Sequence, residues 1–216
     1  MIKAHRFDFS KAANCYVVSD DTLECVIIDP CALTRKQRGW LRNYILREQL
    51  KPVRCLLTHG HYDHLLACDL VRDEYRLLPE IHHGDKVWIG LIETRIEEVF
   101  GNTHFKCDVV QPERYLEDNE VIRFGEHELI VLHTPGHSPG SVVYYCEQEK
   151  QAFTGDTLFK GDIGRSDLLY GDELDLMDSL NFLTETLPDD CTIWPGHGLE
   201  STIGHEKENN PFLKMK

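Results

Sequence analysis

The chain has 216 residues, 41% of them hydrophobic and 28% charged, enough to bury a core and most economically one domain spanning 1–216. Its formal net charge of −14, with no basic stripe, opposes nucleic-acid binding, and no apolar run approaches the roughly 20 residues of a membrane span. The opening Met1-Ile2-Lys3-Ala4-His5 lacks the apolar centre of a secretion signal, so a cytoplasmic protein with all eight cysteines reduced is expected.

In chain order, Asn14–Ser19 and Glu24–Asp29 read as a hairpin around Asp20 and Asp21, closed by Pro30. Thr34 then caps a helix running to about Leu50, with Trp40, Leu41, Tyr44, Ile45 and Leu46 at helical spacing. A strand over Val53–Thr58 follows. Leu65, Leu66, Leu70 and Val71 mark a second helix, and Asp85–Phe100 a third, with Val87, Ile89, Ile92, Ile96 and Val99 as its apolar stripe. The second half reopens with strands at Val121–Phe124, His127–His133, Ser141–Cys146 and Ala152–Thr154, then a helix from Glu173 to about Leu187 and a strand at Cys191–Trp194. This order predicts an α/β fold of two mixed sheets packed face to face with helices outside.

The chemistry collects where strands stop. Thr58-His59-Gly60-His61-Tyr62-Asp63-His64 puts four metal-ligand side chains within six residues, directly after an apolar strand. An expression tag lacks both the interleaved Asp and the preceding strand. Three later strands end alike: Thr134-Pro135-Gly136 delivers His137, Gly155 delivers Asp156, and Pro195-Gly196 delivers His197. Strand ends in α/β proteins gather ligands at one edge, so these segments are expected to converge. Seven ligands, His59, His61, Asp63, His64, His137, Asp156 and His197, exceed the needs of one tetrahedral ion and suit two metals sharing a carboxylate. Zinc comes first, with iron or manganese compatible with the oxygen ligands.

Other residues carry less. His5, His82, His83, His104, His127 and His205 lie outside these turns and read as solvated or hydrogen-bonded; His133, just before the Thr134-Pro135-Gly136 turn, reads either in the same way or as a support of the site. No cysteine sits beside a base, and several, such as Cys55 and Cys191, lie in apolar runs, so no Cys nucleophile is expected.

The HxHxDH run at 59–64, Gly136-His137-Ser138, Gly155-Asp156-Thr157-Leu158-Phe159 and Pro195-Gly196-His197 together resemble the metallo-β-lactamase superfamily over nearly the whole chain. Within it, the chain is most similar to the glyoxalase II-like (hydroxyacylglutathione hydrolase-like) branch. The resemblance implies a four-layer αββα sandwich, with His59, His61 and His137 on one metal, Asp63, His64 and His197 on the other, and Asp156 bridging. It implies a dinuclear-zinc thioesterase of glutathione-type or other small thioesters, with Asp63 and Asp156 as catalytic ligands and a metal-bridging hydroxide as nucleophile. Arg165, in Gly164-Arg165-Ser166-Asp167, stands where full-length glyoxalase II enzymes place a basic residue for a substrate carboxylate. Two departures loosen that match. The chain ends soon after Pro211-Phe212-Leu213, without the C-terminal helical domain that grips glutathione, and Asp167 and Leu199 stand where aromatic residues are expected.

Neighbouring branches are weighed by the same residues. The commonest zinc lactamases carry Cys at the position of Asp156, and flavodiiron relatives carry Glu at that of His61, which disfavours antibiotic hydrolysis and oxygen reduction. Persulfide dioxygenases share the Gly164-Arg165-Ser166-Asp167 turn and hold one iron by two His and one Asp, giving an alternative reading. A non-catalytic metal-binding module is the alternative of another class. Structural zinc sites close with four ligands, whereas seven around two ions leave room for water. The partner expected is a small ester or thioester; oligomeric state is left open.

Overall fold

A computed structural model describes residues 1–9, 13–101 and 108–214. The first sheet holds β1 (Lys3–Asp8), β2 (Asn14–Ser19), β3 (Glu24–Ile28), β4 (Lys51–Leu56), β5 (Pro79–His82) and β6 (Arg114–Leu116), side by side in chain order. β1, β2 and β3 pair antiparallel, and β3 through β6 pair parallel. Parallel neighbours need a crossover. These are α1 (Arg35–Arg47), α2 (Cys68–Tyr75), and the pair α3 (Lys86–Ile89) and α4 (Ile92–Phe100).

The second sheet begins as an antiparallel meander of β7 (Val121–Phe124), β8 (His127–His133), β9 (Val142–Cys146) and β10 (Gln151–Gly155). A two-stranded ribbon of β11 (Leu158–Phe159) and β12 (Asp162–Ile163) and helix α5 (Glu173–Thr186) lead to β13 (Thr192–Pro195), which pairs parallel with β10. β14 (Ser201–Thr202) and α6 (Ile203–Asn209) finish the edge.

Alternation along the strands makes the layers. Tyr16, Val18, Val26 and Ile28 meet Ile122, Phe124, Val142 and Tyr144 between the sheets. Their neighbours Cys15, Val17, Cys25 and Ile27 pack outward with Leu41 and Ile45 of α1, while Val143 and Tyr145 pack with Leu176, Leu180 and Leu183 of α5. The result is the four-layer αββα sandwich. Each sheet is buried on both faces, so a charged side chain at an inward position has no water to fall back on.

Local signals set the helix starts. Thr34 accepts from the Gln37 N–H while the Gln37 side chain returns to the Thr34 N–H, a reciprocal cap that begins α1. Asp172 accepts from the backbone N–H groups of Leu174 and Asp175 to start α5. The expected helix over Asp85–Phe100 is two: α3 ends at Ile89 and α4 begins at Ile92, either side of Gly90. The helix after the first ligand loop begins only at Cys68, because Tyr62–His64 form a separate tight turn. No described helix is long and apolar enough to cross a membrane. The seven described cysteines are buried; Cys107 and His104 lie outside the described residues.

Candidate metal centre

β4 runs into the loop Leu57–His64, and two buried side chains fix its course. Asp29, just past β3, accepts from the Thr58 N–H at 2.8 Å and the Thr58 hydroxyl at 2.7 Å, and receives the His64 Nδ1–H at 2.9 Å. Because the Thr58 hydroxyl proton is committed to Asp29, its oxygen is left to accept from His59 Nδ1 at 3.1 Å. His137 Nδ1, in turn, donates to the Arg165 carbonyl at 2.7 Å. These outer bonds assign the tautomers, leaving Nε2 of His59, His64 and His137 as a lone pair directed inward.

The expected strand ends do converge. Ligand atoms of His59, His61 and His137 lie within 4.8 Å of one another, as do those of Asp63, His64 and His197, and those of His59, His64 and Asp156. His61 Nδ1 and His137 Nε2 face each other at 2.9 Å. Asp156 lies between the groups: His137 Nε2 and His197 Nε2 are each 3.5 Å from its Oδ2, and His64 Nε2 is 3.4 Å from its Oδ1. His197 also reaches Asp63 Oδ2 at 3.5 Å. Gly196 makes this approach possible, since a Cβ there would stand 2.1 Å from Asp156 Oδ1.

The donor set fits cations. His59 Nε2, His61 Nε2, His64 Nε2 and Asp156 Oδ1 are buried with no hydrogen-bond partner among the described residues, a cost that native interiors avoid unless a ligand satisfies the atoms. Burial drives the His59 proton affinity well down; burial, with His137 close by, takes His61 down to about 3, so both rings keep free lone pairs. Although burial opposes it, Asp156 and Asp29 raise His64, and hydrogen bonds to Asp156 and Asp63 lift His197 to about 9. Burial likewise works against ionised Asp156, but His64 and His197 hold its carboxyl well below the usual range. Positive charge is what this pair of carboxylates draws in, from protons or from metal ions.

A cavity of about 710 Å³ opens over the cluster. Its walls include Trp88, Ile92, Val99, Phe159, Leu169 and Leu199, with Asp63, Asp156 and His197 at its floor. Three cationic side chains line it, Arg95, Lys160 and Arg165, where the sequence pointed to Arg165 alone. The Arg165 guanidinium is exposed and engaged by Asp167 at 2.9 and 3.1 Å. Arg95 is held by Glu98 at 2.7 Å, whereas no carboxylate among the described residues pairs with Lys160.

Sequence reasoning missed two supports. Asp29 reads locally as the end of a strand, and Asp85 as the start of a helix; their partners lie 25 to 55 residues away. His133 is hydrogen-bonded, placing Nε2 2.8 Å from the Pro139 carbonyl beside the His137 turn. His82, expected to be solvated or hydrogen-bonded, is buried, accepts from the Gly84 N–H at 3.3 Å and stacks on His133 with ring centroids 4.0 Å apart.

A family model described as "Metallo-beta-lactamase superfamily" matches residues 11–197. The chain belongs to this superfamily. Among its relatives, the probable metallo-hydrolase YqgX of Bacillus subtilis is 35% identical over 202 residues, covering 93% of this chain and 92% of that protein. Hydroxyacylglutathione hydrolase GloC of Haemophilus influenzae is 35% identical over 212 residues, covering 94% and 93%. Among solved superfamily structures, the BLEG-1 B3 metallo-β-lactamase superposes with a TM-score of 0.86 at 35% identity, covering 99% of this chain and 100% of that one. TTHA1623 in a di-iron-bound form gives 0.82 at 31%, covering 97% and 100%, and ETHE1 from Myxococcus xanthus gives 0.79 at 25%, covering 100% and 85%. The metallo-hydrolase relatives and the histidine cluster agree on a metal-binding hydrolase of the superfamily.

Proposed function

We propose that this chain hydrolyses small thioesters or esters with two divalent ions, zinc first. The observation that carries the reading is the place of Asp156, within 3.5 Å of His137 and His197 and 3.4 Å of His64, between two three-donor groups. His59, His61 and His137 would hold one ion, Asp63, His64 and His197 the other, and Asp156 would serve both. Such ions supply Lewis acidity and acidify water from about 15.7 toward about 7, giving a nucleophile at neutral pH.

The chain's own residues do the rest. Asp29, Thr58 and the Arg165 carbonyl fix the imidazole tautomers, so the donors are oriented before any ligand arrives. The apolar walls shelter an acyl group from water, and His197, 40% exposed, opens the floor to the cleft. That opening is what a closed structural site lacks. The −14 charge favours a small molecule over a nucleic acid.

Elemental analysis of protein purified with metal in excess should find two ions per chain. A panel of S-lactoylglutathione, simpler thioesters and carboxylesters should then show turnover without oxygen uptake. One ion at most would remove the dinuclear reading.

One specific observation favours a second reading. His59, His64 and Asp156 form a two-His, one-carboxylate group, the donor chemistry of mononuclear iron oxygenases, and ETHE1 superposes on the chain. Bound iron and oxygen uptake with a persulfide substrate would establish it over hydrolysis. Likeness to a B3 lactamase adds a cephalosporin to the panel, because Asp156 separates this chain only from cysteine-bearing lactamases.

A further inference from the structure

Asp85 is a fully buried carboxylate to which no cationic side chain among the described residues is bonded. It sits in the turn between β5 and α3, which contributes none of the seven candidate ligands. Its partners belong to two loops that do. Oδ2 accepts from the Gly60 N–H at 2.6 Å and from the Ser138 hydroxyl at 2.8 Å, and Oδ1 accepts from the Gly140 N–H at 2.5 Å. Gly60 lies between His59 and His61, and Ser138 follows His137. A Cβ at Gly140 would stand 2.3 Å from the Asp85 backbone nitrogen, so the two loops and this turn interlock without slack.

Three neutral donors satisfy the oxygen lone pairs of such a carboxylate but do not cancel its charge. Buried charges persist in proteins where they are paired or lie against metals. The positive charge that this region can gain is at the adjoining histidine cluster.

We infer that Asp85 is a positioning residue for metal: it ties the Gly60 loop to the Ser138 loop, sets His61 against His137, and has its charge offset by the cations held there. The inference rests on the metal reading above. Ordinary packing would also fix two loops, but it would not make metal affinity depend on the carboxylate.

The test strips wild type, Asp85→Asn and Ser138→Ala of metal, records the melting of each apoprotein, and titrates zinc against a chromophoric chelator. Asp85→Asn keeps the shape but removes the charge and one acceptor. Its zinc affinity should fall tenfold to a hundredfold, a loss read separately from any lowering of apoprotein melting by the backbone N–H that the amide leaves unpaired. Ser138→Ala, which deletes one of three donors, should lose about threefold or more. Wild-type affinity in Asp85→Asn, whatever its melting temperature, overturns the inference. Should Asp85→Asn fail to fold, Ser138→Ala decides: unchanged zinc affinity overturns it, and a loss supports it. A wild-type stoichiometry below two would sink the dinuclear reading instead, leaving the ratio of variant to wild-type affinity to report on Asp85.

Discussion

Asp156 concentrates the site in one carboxylate. Both donor groups approach it, and among the described residues its Oδ1 has no hydrogen-bond partner to take over if a cation is lost. Asp156→Ala should therefore lose both metals and nearly all activity, whereas His5→Ala, stacked on Tyr44 at 3.9 Å far along the chain, should keep both. Metal content by elemental analysis reads this directly; two ions retained in Asp156→Ala would end the shared-carboxylate scheme. The cations of the cleft are ranked by their partners. Arg165 must release Asp167 before meeting a substrate carboxylate, and Lys160 has no such rival among the described residues. A charge-assisted hydrogen bond contributes roughly 1.5–3 kcal/mol. Lys160→Ala should raise KM about tenfold for acidic thioesters and little for neutral ones, with a smaller effect from Arg165→Ala. Steady-state kinetics on one acidic and one neutral thioester decide between them, and a larger effect at Arg165 would reverse the ranking.

At the scale of elements, the site is a product of strand ends. β4, β8, β10 and β13 each stop at a turn, and the parallel pairing of β10 with β13 brings Gly155, one residue before Asp156, opposite Pro195, two residues before His197. Gly196→Ala tests how tightly that geometry is drawn. The added Cβ meets Asp156 Oδ1 and, at 2.8 Å, His64 Cε1, whose ring is held by its Nδ1–H bond to Asp29. The variant should fold yet bind zinc at least tenfold more weakly; equal affinity in a chelator competition would mean the loop yields. These same strands were legible in the sequence because β4 runs straight into a ligand-dense turn and the other three join an apolar run to a Gly or Pro and then a ligand. The rest was silent for physical reasons. β5 opens with Pro79 and spans four residues, and β6 spans three, too short for a periodic signal. The stripe over Asp85–Phe100 continues through Gly90, so one helix and two look alike from composition. Asp29 and Asp85 have no local signature at all, since only the folded chain brings their donors near.

For the whole molecule, an acid sensitivity separate from the candidate metal ligands is predicted at the seam between the two sheets. His82 ends β5 in one sheet and stacks on His133 at the end of β8 in the other. Burial, with the His133 and His83 rings beside it, pushes His82 down to about 4. In the unfolded chain the ring titrates near 6.5, so between these values the unfolded state binds the extra proton. The contribution to stability is then complete above about pH 6.5 and is lost as pH falls toward 4. One pKa unit corresponds to about 1.36 kcal/mol, so at pH 5 this group alone costs about 2 kcal/mol relative to pH 7.5. His82→Phe keeps an aromatic ring on His133 and removes the titration. Loss of the Gly84 N–H bond to His82 lowers its stability by a similar amount at both pH values and does not enter the difference. Urea unfolding of chelator-treated wild type and variant at pH 7.5 and 5 measures the effect, with metal release excluded and the other histidines common to both. The wild type should lose about 2 kcal/mol more than His82→Phe across that interval. Equal losses would mean that the folded seam accepts the proton as readily as the unfolded chain does.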